Sequence, residues 1–187
     1  MSIQIQMAGD MMSDQLIMNT KKKILTICGS TKANSTNSLI LDMLQEFAAS
    51  EFDFKQYDIG LLPFFNPDLD GEKIPQQVMN FLNQLAESDA VIICTPEYVF
   101  SLPGVLKNAL EWTVSSSGFS KKPVALIVAA TGGEKAFESL QLIMKTIEAK
   151  FDSSTTLLIQ GAKAKVSHAE TKEKLEKLFT ALTANII

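Results

Sequence analysis

The feature that most constrains the fold is an alternation of short apolar runs with longer segments of helical period. Runs such as Ile24–Cys28 and Ala90–Thr95 hold only five or six residues, and turn-forming residues follow them. Short continuous apolar runs of this kind are typical of strands buried on both faces of a sheet. The segments between them carry apolar residues at the three- and four-residue spacing of amphipathic helices. Strands and helices that alternate in this way predict a parallel sheet with helices on both faces.

The pattern also predicts the order of the strands. The second strand, 52–59, nearly alternates apolar with charged residues, which is typical of a less buried strand at a sheet edge. We therefore predict the order 2-1-3-4-5, a flavodoxin-like three-layer sandwich. Such sheets bind ligands at the carboxyl ends of the strands where the order reverses, here beside strands one and three. The predicted strands are 24–28, 52–59, 90–95, 123–130 and 155–160, and the predicted helices begin near 35, 75, 103, 134 and 169, the fourth running from 134 to 151 and the last ending near 182.

The regular pattern starts only after the first twenty residues. Residues 1–20 are rich in Met and Gln and lack a sustained period, so we interpret them as an extension outside the fold, with a packing arm as the alternative. Residues 21–187 show no repeat, linker or change of composition, which predicts one domain. The chain is 46% hydrophobic and 20% charged, enough apolar surface for a well-covered core.

Charge and composition argue against several classes of function. The net charge of −4 offers no general attraction to nucleic acid or to an anionic membrane surface. No apolar run approaches the roughly 18 residues that a membrane span needs. Two cysteines and one histidine are too few for a disulfide scaffold, a four-ligand zinc site or a His-rich centre. The first 20 residues contain no Lys or Arg, unlike a secretory or mitochondrial leader, so we expect a cytoplasmic protein.

The loop after the first predicted strand has the chemistry of an anion site. Gly29–Asn37 reads GSTKANSTN, with hydroxyl and amide side chains, one Lys and no acid, and a helix begins just behind it. Backbone N–H groups and the helix dipole favour an anion there. With no metal-binding carboxylate nearby, a monophosphate suits the loop better than a triphosphate. An ordinary strand-to-helix turn, capped by Ser, Thr or Asn, is the alternative.

The loop after the third predicted strand carries two aromatic residues. Tyr98 and Phe100 stand between Pro96 and Pro103, and they can offer a flat wall to a planar ring. The alternative is that both aromatic side chains only close the end of the sheet.

Together the two loops resemble the NAD(P)H-dependent FMN reductase family, which includes quinone, azo-dye and chromate reductases. The family pattern is close to G-S-x-R-x-x-S-x-N after strand one, where this chain has GSTKANSTN. After strand three it is close to P-E-Y-N-x-S-x-P-G-x-L-K-N-A-[IL]-[DE]-W, and this chain has PEYVFSLPGVLKNALEW. The resemblance runs from about Lys23 to the last helix, and the second motif is the more specific one.

The resemblance implies which residues bind FMN. Those that would hold its phosphate end are Ser30, Lys32, Ser35, Thr36 and Asn37. Those that would line the isoalloxazine ring, partly through main-chain atoms, are Pro96, Glu97, Tyr98 and Val99. After strand four, Thr131 and Gly132 would approach the edge of the ring, although a plain strand-to-helix turn remains open for them.

Two positions depart from the family pattern. Lys32 stands where Arg is usual, which keeps the charge but loses bidentate phosphate geometry. Val99 stands where Asn is usual, which removes a polar side chain near the flavin. We expect flavin binding to survive both changes.

The activity implied by the resemblance is electron transfer from NADPH or NADH, through bound FMN, to a small-molecule acceptor: a quinone, azo compound, free flavin or metal oxyanion. It needs no protein nucleophile, so no catalytic side chain is assigned. A homodimer or homotetramer is implied as well. The alternatives are a flavodoxin-type electron carrier, whose partner is another protein, and a flavin-free regulatory module on the same fold.

Overall fold

The computed structural model describes residues 21–186, which form a five-stranded parallel sheet in the order β2-β1-β3-β4-β5. This confirms the predicted fold class and strand order. The predicted extension, residues 1–20, lies outside the described residues. The strands are β1 (Lys22–Cys28), β2 (Phe52–Tyr57), β3 (Ala90–Thr95), β4 (Val124–Ala130) and β5 (Thr156–Gln160).

Helices cover both faces of the sheet and create two apolar cores. The first core packs under α1 (Thr36–Ala48), the short α5 (Ala162–Lys165) and α6 (Ala169–Thr183). The second packs under α2 (Gln76–Glu87), α3 (Gly104–Glu111) and α4 (Glu134–Thr146). Within residues 21–186, no helix is long and apolar enough to cross a bilayer.

Burial along the strands explains the order of the sheet. Every residue of β3 is buried, as expected for a strand with a neighbour on each side and helices above and below. In β2, by contrast, exposed residues alternate with partly buried ones until Tyr57, and the strand pairs only with β1. The near-alternation in the sequence therefore identified the edge strand correctly.

Two local predictions were wrong, and one short helix was missed. The helix predicted over 134–151 ends at Thr146, because Glu148 adopts a left-handed backbone conformation and the chain turns back toward β4. There the Val124 amide donates to the Lys150 carbonyl at 3.0 Å. The second strand stops at Tyr57, since the backbone tightens into a 3₁₀ turn over Ile59–Leu61. The short helix α5 was not predicted.

The loop that follows β2 packs onto α3 through Trp112. This side chain is fully buried, and its indole N–H donates to the Pro63 carbonyl at 2.9 Å. Phe65 meets the indole edge-to-face, with ring centroids 5.0 Å apart. Trp112 is therefore a core residue, whereas Phe64 from the loop after β2 is exposed.

Candidate functional site

The loop after β1 is shaped by hydrogen bonds between close neighbours in the sequence. The Ser35 hydroxyl caps α1 by accepting from the Ser38 amide at 3.0 Å. The Ser30 hydroxyl accepts from the Lys32 amide at 3.3 Å. Asn34 takes a left-handed conformation just before the cap, which Asn tolerates better than most residues. The first turn of α1 therefore points its unpaired N–H groups at the space above the sheet.

A pair of buried side chains lies beneath this loop. The Cys94 thiol, at the end of β3, donates to Asn37 Oδ1 at 3.3 Å. Burial raises the pKa of the Cys94 thiol well above its ordinary value, and the neighbouring Cys28 thiol adds to the rise. Cys28 and Cys94 lie opposite each other on adjacent strands, and both are free. The Cys94 thiol is thus protonated at neutral pH and available as a hydrogen-bond donor.

The loop after β3 forms a tight two-residue turn. Tyr98 and Ser101 exchange both backbone hydrogen bonds, at 3.0 and 3.1 Å. Between them, Val99 and Phe100 have φ angles of +51° and +55°, and their side chains are 95% and 80% exposed. Such a turn normally carries Asn-Gly, so a β-branched and an aromatic residue here are strained.

Glu97 ties this loop to the start of α4. One carboxylate oxygen accepts from the Gly133 amide at 3.1 Å, and the other accepts from the Ala136 amide at 2.9 Å. A carboxylate in this position satisfies unpaired N–H groups and complements the helix dipole. The Glu97 side chain therefore connects the loops after β3 and β4, a role that the sequence did not indicate.

A cleft of about 490 Å³ opens above the carboxyl ends of the strands, where the strand order reverses. Its volume lies within the range of small-molecule sites. Its lining includes three residues of β4 and its following loop, Ala129–Thr131, and three from α5 and the residue after it. The lining residues are Ser30, Lys32, Asn34, Ser35, Thr36, Asn37, Leu39, Pro96, Glu97, Tyr98, Ala129, Ala130, Thr131, Ala162, Lys163 and Val166.

Most of the predicted site residues thus meet along one cleft, with two exceptions. Val99 stands at the exposed tip of its turn and does not line the cleft. Gly132 lies behind it, where an added Cβ would come within 3.6 Å of Glu97 Oε1. Lys163 was missed, because nothing in its local sequence marks α5 as part of the site.

The charges in the cleft are uneven. Lys32 and Lys163 both line it, and neither belongs to an ion pair within residues 21–186. Glu97 is the one acidic residue of the lining, and its carboxylate is occupied by N–H groups of the α4 terminus. The described residues contain no group of three or more His, Cys, Asp or Glu side chains suited to a metal ion. The two lysines therefore favour an anionic ligand in the cleft.

The strand order defines a flavodoxin-like α/β protein, with a cleft of small-molecule size at the point where the order reverses. The family model described as NADPH-dependent FMN reductase matches residues 22–164, and the chain belongs to that family. This confirms the family to which the two loop motifs pointed, and with it an oxidoreductase family that uses FMN and a reduced nicotinamide.

Characterised relatives share part of the sequence. A 2-hydroxy-1,4-benzoquinone reductase from a Burkholderia species is 40% identical over 113 residues, which are 59% of this chain and 61% of the relative, less than two thirds of its length. A quinone reductase from Pseudomonas putida is 31% identical over 133 residues, 70% of this chain and 72% of that protein. Among solved structures, FerB, a flavoenzyme NAD(P)H:(acceptor) oxidoreductase from Paracoccus denitrificans, superposes with a TM-score of 0.65 at 27% identity, covering 88% of this chain and 95% of that one.

Proposed function

We propose that this protein binds FMN in the cleft and uses it to pass electrons from NADPH or NADH to a small aromatic acceptor of the quinone class. The observation that carries the proposal is one cleft lined both by hydrogen-bond donors of the loop after β1 and by a half-exposed tyrosine, Tyr98, of the loop after β3. Family membership and the relatives that are quinone reductases support it.

The residues present fit the phosphate end of FMN. The first turn of α1 supplies N–H groups, and Lys32 supplies a cation that has no carboxylate partner within residues 21–186. The Asn37 side chain lines the cleft although it is 4% exposed, and its oxygen is already engaged by Cys94. The hydroxyl oxygens of Ser30 and Ser35 each accept a backbone N–H, and each hydroxyl can still donate to an anion. We assign the phosphate to Ser30, Lys32, Ser35, Thr36 and Asn37.

The cleft residues of the loops after β3 and β4 suit a planar ring. Pro96 and Tyr98 form a stiff wall beside β3, and Thr131 closes the cleft from β4. Glu97 holds these two walls at a fixed separation through its bonds to Gly133 and Ala136. When bound, FMN supplies the two-electron chemistry, and the chain binds and orients it. No described side chain is needed as an acid or base.

The acceptor class follows from the rim of the cleft. Tyr98 lines the cleft, and the apolar turn tip of Val99 and Phe100 follows it directly. Flat, uncharged rings bind to aromatic and apolar surfaces better than small hydrated oxyanions do. Quinones are therefore favoured over metal oxyanions.

We also propose a homodimer that pairs through α3 and α4. Val114, just after α3, and Leu142 on α4 are 61% and 67% exposed, and they border an apolar groove between the two helices. Exposed apolar patches of this kind mark association surfaces. Light scattering after gel filtration should give twice the chain mass, and Leu142→Glu should give the single mass.

An anaerobic spectral titration tests the proposed activity. The purified chain is mixed with excess FMN, desalted, and then treated with NADPH or NADH and finally with benzoquinone. We expect retained flavin absorbance, bleaching by the nicotinamide without any second protein, and recovery of the absorbance with the quinone. Bleaching that requires a separate reductase would support an electron carrier instead. Failure to bind FMN even in equilibrium titration would overturn the proposal in favour of a flavin-free module.

A further inference from the structure

The amide of Asn37 has two different ends, and only one of them has a partner. Asn37 Oδ1 accepts from the Cys94 thiol at 3.3 Å, whereas Nδ2 makes no hydrogen bond within residues 21–186. In the same range, Gln84 Oε1 is the one fully enclosed side-chain nitrogen or oxygen that lacks a partner. Asn37 Nδ2 is therefore not enclosed, and because Asn37 lines the cleft, this nitrogen opens onto it.

An unpaired N–H group in so buried a side chain indicates a ligand acceptor. The Asn37 side chain is 4% exposed, so Nδ2 has little access to bulk solvent, and a ligand in the cleft can supply the acceptor that it lacks. Asn37 is also the second residue of α1, so its amide lies beside the N–H groups and the positive end of the helix dipole. All of these groups donate, and none accepts.

We propose that Cys94 is a positioning residue that fixes the Asn37 amide so that its nitrogen, not its oxygen, faces the cleft and donates to the phosphate of the bound flavin. An Asn amide can turn over and exchange its two ends at little cost unless a neighbour discriminates between them. A protonated thiol favours the orientation in which it donates to Oδ1, because its sulfur is a poor acceptor for the amide N–H groups. The inference rests on the proposed binding of FMN in the cleft, and it adds a residue that does not touch the flavin.

The protonation of Cys94 supports this role. Burial holds the thiol protonated at neutral pH, so it remains a donor to Asn37 Oδ1, whereas its sulfur is only a weak acceptor for the N–H groups of a reversed amide. A thiolate, by contrast, would attract the amide N–H groups and turn the oxygen toward the phosphate.

Cys28 provides a matched control. It lies opposite Cys94 on β1 and is also buried, but its sulfur is 3.9 Å from the Ser35 hydroxyl and, within residues 21–186, has no hydrogen bond to a side-chain amide. The Ser35 hydroxyl is already fixed by the Ser38 amide. Removing the Cys28 thiol should therefore leave the orientation of Asn37 unchanged.

The test compares the dissociation constants of FMN and riboflavin, which differ by the phosphate alone, by titrating the apoprotein and following flavin fluorescence. The variants are Cys94→Ala, Cys94→Ser and Cys28→Ala. We expect Cys94→Ala to weaken FMN binding about fivefold, as expected for one lost hydrogen bond to an anion, with riboflavin binding unchanged. Cys94→Ser, which keeps a donor, should restore most of the preference for FMN, and Cys28→Ala should match the wild type. A general packing defect would weaken both flavins together.

A second readout follows the Asn37 side-chain amide directly by ¹⁵N–¹H NMR. In the wild type, FMN and inorganic phosphate should both shift this signal, and in Cys94→Ala the shift should shrink. An unchanged FMN-to-riboflavin ratio in Cys94→Ala, or Cys94→Ser no better than Cys94→Ala, would overturn this inference but leave FMN binding intact. A wild type that binds neither flavin would overturn the proposed function and this inference together.

Discussion

The two loops that form the main walls of the cleft are held in place in opposite ways. Within the loop after β1, residues 29–35, the shape comes from neighbours: the Ser35 cap on α1 and the turn closed by Ser30. The loop after β3, residues 96–103, depends on a distant element, because Glu97 reaches the N–H groups at the start of α4. Its tip is strained, whereas the first loop places only an Asn in the left-handed region. The loop after β1 thus presents hydrogen-bond donors to the cleft, and the loop after β3 forms a rigid side of it.

The two loops also differ in the backbone strain that their surroundings hold in place. Val99 and Phe100 hold an unfavourable conformation only because Glu97 and the Tyr98–Ser101 hydrogen bonds fix both sides of the turn. Strained residues that the surroundings over-determine tend to occur at functional sites. The strained conformation of Val99 and Phe100 therefore lowers the stability of the fold, and the surrounding hydrogen bonds keep it in place.

The largest expected effect is at Gly29, where the two loops leave adjacent strands. A Cβ on Gly29 would lie 2.2 Å from Thr95 Oγ1 and 3.1 Å from Thr95 Cα, so the backbone itself would have to move. We expect Gly29→Ala to lower the free energy of unfolding by about 3 kcal/mol, measured by urea denaturation. Gly104→Ala is the control, because nothing lies within 4 Å of its added Cβ. Equal stability of the two variants would show that the loops are not in such close contact.

The next largest effect comes from removing the hydrogen bonds between Glu97, in the loop after β3, and the start of α4. Glu97→Ala leaves the Gly133 and Ala136 amides without their acceptor, and we expect a loss of about 2 kcal/mol in unfolding free energy. Hydrogen exchange of both amides should accelerate, and FMN and riboflavin should both bind more weakly. Glu97→Gln, which keeps one acceptor, should be intermediate. Glu134→Ala is the matched control, since within residues 21–186 that carboxylate accepts a hydrogen bond from the Gln160 side chain and from no backbone amide of α4, and a loss as large as that of Glu97→Ala would contradict the assignment.

A smaller change should relieve the strain at the tip. Replacing Val99 and Phe100 with Asn and Gly gives the turn the residues that its geometry favours. We expect the free energy of unfolding to rise by about 1 to 2 kcal/mol, with Val99→Asn alone giving part of the gain. Thermal and urea denaturation would measure it. A loss of stability would mean that the exposed apolar side chains make contacts worth more than the strain.

The smallest effect is the pH dependence of stability that comes from Cys94, which lies beneath the loop after β1. Burial raises the pKa of Cys94 in the folded state, so the unfolded chain releases this proton first as the pH rises. The stability is therefore complete below the ordinary thiol pKa of 9.0 and declines above it. We expect Cys94 to account for a loss of about 1 kcal/mol between about pH 8 and about pH 10. Cys94→Ala should remove this part of the alkaline loss and Cys28→Ala should keep it, whereas the same pH dependence in both variants would contradict the burial argument.

What could be predicted from the sequence followed from local patterns. The apolar run of β3 and the alternation in β2 depend only on which faces are buried, so the strand order was predictable. The Ser35 cap was predictable because capping is chemistry between residues three apart.

The features that the sequence did not predict depend on contacts between distant parts of the chain. Nothing near Glu97 indicates that its carboxylate reaches α4, and nothing near Lys163 indicates that α5 lines the cleft. The helix predicted to run to Phe151 ends early because the chain is drawn back to pair with β4, at Lys150. Long-range pairing overrides local helical periodicity at such points.

A crystal structure of the chain with FMN tests most directly whether the flavin binds in the cleft with its phosphate at the start of α1. We predict the phosphate within hydrogen-bond distance of Asn37 Nδ2 and the first N–H groups of α1, with the ring against Tyr98 and the loop at Thr131. Glu97 should still accept from Gly133 and Ala136. A flavin bound elsewhere on the protein, or a reversed flavin with its phosphate beside Tyr98, would contradict the account.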